Sequence, residues 1–409
     1  MPSAQDVMLC TSYFLSGSSA AAVIPFLPVY MDEVLGMSQS QIGIVSAGAF
    51  VFTSAMTPGL CAIVDRTRAF RMGFIISTGI GLVLQGLTFF TKWVKTDLQN
   101  DYGGDVWYWV FWCWMGVAYG FLGAGFTLLD TLVLKVIDEE TYGQYRLWAA
   151  LGWAGSAFAM GFVYQYALGY EYMFIIFAVV MLPQLPLWAF FFPKDAIKDD
   201  EAALKEKKRK KKQKETEKKS MLLSDNDMEG EQESNTLNDQ EGEANDDEPD
   251  PDLTYLQRLR IFRDSLDSKA IETMIVVVPM GSAYGMMNSF LFVFLRELGA
   301  SSVLLGLSIL LNVLTEVPCF VLSQTLREKY GVRGILYIGL VAYVGRCVWY
   351  SWIRNPWVVL PAELLHGVTF ALVWSSLAVF AKSIVPKKAG LEATAQGLFS
   401  LLFNGLGAL

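Results

Sequence analysis

Six ionisable side chains interrupt otherwise apolar runs of this 409-residue chain: Asp130, Arg146, Glu316, Arg346, Glu363 and His366. In a hydrocarbon layer a charged side chain costs about 2.5 to 3.5 kcal/mol on insertion scales. Setting the histidine aside, the other five would together cost on the order of 15 kcal/mol if left alone, so they are expected to pair or to face a watery cavity. Their signs suit two pairs on consecutive spans, Asp130 with Arg146 and Glu316 with Arg346. Such pairs read either as staples between helices or as parts of a site.

His366 is the only histidine and follows Glu363 by three residues, which puts both on one helix face. A carboxylate beside an imidazole in a desolvated cavity titrates near neutral pH, as a proton carrier requires. The alternative is a core histidine donating to a neighbour. Trp153 follows Arg146 by seven residues and returns to the same face. Indole and guanidinium together make a platform for a sugar or a nucleobase, one stacking and the other donating directed hydrogen bonds; the alternative for the indole is plain helix packing. There is no metal-ligand spacing, phosphate-cradling glycine loop or nucleophile constellation. No cofactor, metal or enzymatic role is expected, and the five scattered cysteines read as packing residues.

These residues need elements to hold them, and composition says which. The chain is 53% hydrophobic and 14% aromatic, although one long segment is nearly all polar. A helix needs about 20 apolar residues to cross ~30 Å of hydrocarbon. Eleven segments of that order are expected, near 7–30, 41–62, 70–92, 106–136, 145–168, 171–192, 270–295, 300–325, 334–354, 357–381 and 390–409. The first is too long for a signal-peptide core and lacks a basic start. Trp107, Tyr108, Trp109, Trp112 and Trp114 at the head of span 4 suit an interfacial belt.

Basic residues cluster on alternate connections: Arg66, Arg68 and Arg71; Arg327, Lys329 and Arg333; Lys382, Lys387 and Lys388. By the positive-inside rule those sides are cytosolic, and so is the N-terminus. Half of all basic and half of all acidic residues fall in or beside the connection between spans 6 and 7. The net charge of −8 therefore describes a loop, and no nucleic-acid partner is expected. Three regions follow: a six-helix bundle over 1–192, a disordered charged cytosolic loop over 193–254, and a second, incomplete bundle over 255–409. The basic run 205–219 could touch anionic lipid at the inner leaflet, or serve as a solvated spacer. Tyr255 to Phe262 reads as an amphipathic stretch on the membrane surface. Parallel six-helix repeats are a transporter architecture; a twelfth span is missing from that pattern, so a truncated sequence is expected.

Leu129-Asp130-Thr131 with Tyr142-Gly143-Gln144-Tyr145-Arg146-Leu147-Trp148 and Gly152-Trp153 resembles the lactose-permease-like branch of the major facilitator superfamily. Glu316-Val317-Pro318, Arg346, Glu363 to Phe370 and Ala393-Thr394-Ala395-Gln396-Gly397 resemble the eukaryotic major facilitator superfamily associated domain branch. The resemblance implies an all-α membrane protein of two pseudo-symmetric six-helix bundles, working by alternating access on a small polar organic solute, sugar or nucleoside, with a proton. It implies substrate binding by Asp130, Arg146 and Trp153, coupling by Arg346 and His366, and a cytosolic gate at Asp65 and Arg66; from their own placement in apolar runs, Glu363 with His366 is expected to carry the coupled proton, with Glu316 in the same coupling group. Thr369 stands where the family has its main proton-carrying carboxylate, Glu363 where it has a lysine, and Cys61 where it prefers glycine. The proton route has then either moved one turn or been lost. An alternative of another class is a transporter-shaped receptor or scaffold that recruits partners through its cytosolic loop.

Overall fold

A computed structural model describes residues 4–67, 69–102, 104–134, 136–137, 142–191 and 255–385, together with 395, 398–399 and 402–403. The charged loop, the Ala393 to Gly397 motif apart from Ala395, and most of the expected eleventh span lie outside the described residues.

With no water in hydrocarbon to satisfy backbone groups, apolar runs of this length must close their hydrogen bonds within the segment, and they do so as helices. The spans are α1 (Ala4–Glu33), α2 (Gln39–Val64), α3 (Phe70–Thr96), α4 (Val106–Leu134), α5 (Gln144–Tyr166), α6 (Tyr170–Phe190), α7 (Ser268–Glu297) and α8 (Ser302–Trp352). A bent pair, Pro356–Glu363 with Gly367–Ala381, forms α9, its two parts meeting at 41°. A short helix at Tyr255–Asp264 precedes α7. The chain is an integral, multi-pass membrane protein.

At 51 residues, α8 would measure about 76 Å as one rod, far more than a ~30 Å hydrocarbon layer. Gly331 breaks it, with φ 70° and ψ 165°, a backbone conformation that glycine reaches without strain. The expected spans 8 and 9 are the segments on either side of that break, spans 1 to 7 fall on α1 to α7, and span 10 falls on α9. The aromatic belt expected at the head of α4 is only partly one: Trp107 and Tyr108 are buried, whereas Trp109 is exposed. The Trp112 and Trp114 indoles donate to the Ile44 and Leu84 carbonyls.

Helix α1 lies along α5, α2 and α3 lie along α4, and α5 lies along α8. The last contact crosses from the first half of the chain to the second. It is close because Gly161 faces the Ser302 carbonyl and Gly306 faces the Ala157 carbonyl, where an added Cβ would sit 2.6 Å from each oxygen. Small residues that let backbones approach are the usual means of packing helices in lipid.

The buried apolar side chains are arranged unequally. One core joins both halves at the end away from Ala4, where Phe26, Tyr30 and Phe174 of the first half meet Leu295, Leu304 and Tyr350 of the second. At the other end each half keeps its own core, one around Tyr13, Phe74 and Trp188 and one around Met280, Tyr343 and Val373. Polar contacts reinforce the shared end: Arg296 Nε donates to Glu33 Oε1 at 2.6 Å, and Ser302 Oγ lies 2.7 Å from Tyr170 Oη. The Ser302 amide donates to Gln165 Oε1 at 2.9 Å.

Candidate functional site: a cavity between the two halves

Below the shared core the halves separate around a cavity of about 1130 Å³. Arg146 and Trp153 of α5 reach it from the first half, and Glu316 of α8 with Phe370 and Trp374 of α9 reach it from the second.

On the first side, Asp130 and Arg146 come together as expected, with Arg146 Nη1 3.4 Å from Asp130 Oδ2. Tyr13 Oη donates to Asp130 Oδ1 at 2.7 Å, and the guanidinium stands 5.7 Å above the Phe126 ring. The Arg146 side chain remains 52% exposed, so it can still offer donors to a solute. Trp153 packs against the buried cluster of Ala21, Ala157 and Ile309 and also lines the cavity.

On the second side, the expected pairing is exchanged. Arg346 pairs with Glu363, Nη2 to Oε2 at 3.1 Å, with side chains only 3% and 2% exposed. Glu316 pairs with His366, Oε1 to Nε2 at 3.0 Å. Glu363 and His366 thus belong to one network but take different partners. The reason is local: Arg346 and Tyr350, one turn apart, face the bent start of α9. Tyr350 Oη accepts from Arg346 Nη2 at 2.7 Å and donates to Glu363 Oε1 at 2.5 Å. Thr369 Oγ1 accepts from Arg346 Nη1 at 2.8 Å, so the residue in the place of the family's carboxylate is an arm of the arginine cage.

For a neutral imidazole these contacts select one tautomer. His366 Nδ1 lies 3.3 Å from Arg346 Nη1, and a guanidinium only donates, so Nδ1 accepts. The ring proton then sits on Nε2, aimed at Glu316. The bend between Glu363 and Gly367, followed by a π-helical turn over Gly367–Leu372, frees these side chains to converge; π-turns recur at functional sites.

Sequence reasoning missed Tyr350, Thr369 as a ligand of Arg346, and Tyr13. Tyr350 had a signal, since it follows Arg346 by four residues and so shares its face. Arg66 is exposed at the end of α2, while the Asp65 side chain lies outside the described residues.

Two bundles with ionisable side chains in the wall of a cavity at their junction, and a buried ion pair behind it, define a membrane transporter rather than an enzyme, and comparison with known proteins agrees. The chain belongs to the MFS_1 like family, within the major facilitator superfamily, matching it over residues 7–409. It is 23% identical over 400 residues to the maltose permease of Geobacillus stearothermophilus, covering 97% of this chain and 83% of that protein. It is 25% identical over 130 residues to the major facilitator superfamily domain-containing protein 6-like of Homo sapiens, covering 32% of this chain and 22% of that one. Among solved structures, the nucleoside transporter NupG superposes with TM-score 0.68 at 14% identity, over 99% of this chain and 88% of that one. A D-xylose-proton symporter superposes with TM-score 0.59 at 13% identity, over 98% and 89%. At these identities the structural matches speak for the fold.

Proposed function

We propose that this protein is a proton-coupled secondary transporter of a neutral, hydroxylated solute, a sugar or a nucleoside, working by alternating access. The observation that carries the proposal is the wall of the cavity. Arg146 and Trp153 offer a forked donor and an aromatic plane from one half, and Glu316 lies opposite them, tied through His366 to the buried Arg346–Glu363 pair. Relatives named as maltose permease and raffinose permease, and structural neighbours titled as nucleoside and xylose transporters, support the solute class.

The proton is assigned to the Glu316–His366 pair. Glu363 already accepts from Arg346 and Tyr350 in a dry setting, where its charge is matched; Glu316 has His366 as its partner and borders the cavity. A proton added to His366 would put N–H groups of imidazole and guanidinium face to face at Nδ1, releasing His366 from Arg346. That release couples the charge on one wall to the arrangement of α8 and α9. With the N-terminus in the cytosol, as the loop charges favour, the shared core closes the outer side and the cavity faces inward.

The test is uptake into liposomes holding the purified full chain, with radiolabelled maltose, xylose and uridine, with and without an inward proton gradient. Accumulation that collapses with a protonophore is expected. Uptake indifferent to the protonophore removes the proton, and no uptake of any of the three removes the solute class.

A further inference from the structure

The cavity extends beyond the α5–α8 junction into the first bundle, where its lining changes character. Helices α1, α3, α4 and α6 all contribute to its wall, and the side chains they present there are neutral; among the described residues, Arg146 on α5 and Glu316 on α8 carry the charge. On α3 the wall includes Thr78 and Gln85, two turns apart on one face and ~10.5 Å apart along the axis.

Gln85 is 1% exposed, and neither its Nε2 nor its Oε1 has a hydrogen-bond partner among the described residues. Since both ends are unpaired, exchanging amide nitrogen and oxygen changes nothing. Thr78, also 1% exposed, has an Oγ1 that is likewise unpartnered among them, held beside Gly125 of α4. The phenol of Tyr119 lines the same region. Buried polar side chains almost always find partners in a folded protein, so an amide and a hydroxyl that lack one among the described residues, on two side chains that line the cavity, call for a ligand that supplies them. An amide offers a donor and an acceptor together, and a hydroxyl does both; the complement is a group of neighbouring hydroxyls on an uncharged ring.

We propose that Thr78, Gln85 and Tyr119 form a second sugar subsite, which takes the uncharged far ring of an oligosaccharide whose near ring lies against Trp153 and Arg146. This rests on the solute reading above and deepens it. The cavity volume of about 1130 Å³ exceeds the ~300–1,000 Å³ typical of pockets for drug-sized ligands, leaving room for more than one ring. Gln85 then measures chain length, while Trp153 and Arg146 measure the presence of a sugar.

The test is calorimetric binding of D-glucose, maltose and maltotriose to the purified full chain, comparing the native protein with Gln85→Leu and Thr78→Val. Both substitutions keep size and remove unpartnered polar atoms, so neither is expected to unfold the protein. The native protein should gain about tenfold in affinity from glucose to maltose. Gln85→Leu should erase most of that gain and leave glucose affinity within twofold, and Thr78→Val should erase part of it. If the variants gain from the added ring as the native protein does, or if the native protein gains nothing, the pocket holds only water and the subsite is refuted while the solute class stands. If the native protein binds none of the three sugars, the sugar reading falls and the subsite with it.

Discussion

Arg346 and Glu363 form an ion pair at 3.1 Å whose two side chains are all but fully removed from solvent. A charge in that setting is tolerable only while its partner is present. Removing one partner of a buried pair costs about 3 to 5 kcal/mol. Arg346→Gln and Glu363→Gln alone should each lower the yield of folded protein sharply, and the double substitution should recover much of it, as read by monodisperse elution from detergent. If Glu316→Gln rescues Arg346→Gln better than Glu363→Gln does, the pairing is the other one.

Glu316→Gln keeps shape and hydrogen bonding while removing the carboxylate at the cavity wall. It should abolish accumulation driven by a pH gradient and spare exchange of solute across the membrane, because exchange needs no net proton release. His366→Gln should shift the pH at which uptake is fastest. Uphill uptake that persists in Glu316→Gln moves the proton to another group, with Asp130 the next to test.

Trp153→Ala removes an aromatic face and Trp153→Phe keeps a smaller one. Loss of stacking of about 1 kcal/mol corresponds to roughly fivefold weaker binding for the alanine variant, with phenylalanine in between. Arg146→Lys should weaken binding as well, since an ammonium lacks the forked donors. Equal apparent affinities across the set in a transport assay would take the solute away from α5.

Glu33 and Arg296 clasp the two halves at the shared end, and Arg296 also donates to the Ala300 carbonyl at 2.7 Å. With both side chains about one third exposed, the clasp contributes about 1 kcal/mol after solvent screening. Glu33→Arg should therefore raise the population open at that end several-fold, and Glu33→Arg with Arg296→Glu should restore closure. Spin labels at Leu168 and Trp357, in a background without native cysteines, would report the distance. An unchanged distance distribution in Glu33→Arg would mean that the apolar core alone holds that end shut.

The spans were legible in the sequence because length and apolarity suffice to define a membrane helix, and Asp130 with Arg146 because opposite charges flanked a single short connection. The partner of Arg346 was not. Glu316 and Glu363 are both carboxylates on neighbouring spans, and the choice between them depends on how α9 turns at its break, which no local signal in the sequence encodes. Tyr350 was within reach, one turn from Arg346, but a tyrosine in an apolar run looks like packing. Gln85 was invisible for another reason: one neutral polar residue among apolar ones carries neither a charge to balance nor a period to follow. Its importance lies in what the helices around it, over their described residues, do not bring to it.

If the proposed alternating access holds, the unequal sharing of the apolar core gives the two faces of the carrier different working constants. A solute arriving at the end where Phe26 and Leu304 share a core meets a binding-competent protein only in the fraction of molecules that has parted there. Its apparent dissociation constant from that side is the intrinsic one divided by that fraction. A solute arriving at the end where each half keeps its own core is spared that factor, so the same contacts bind tightly from one compartment and weakly from the other.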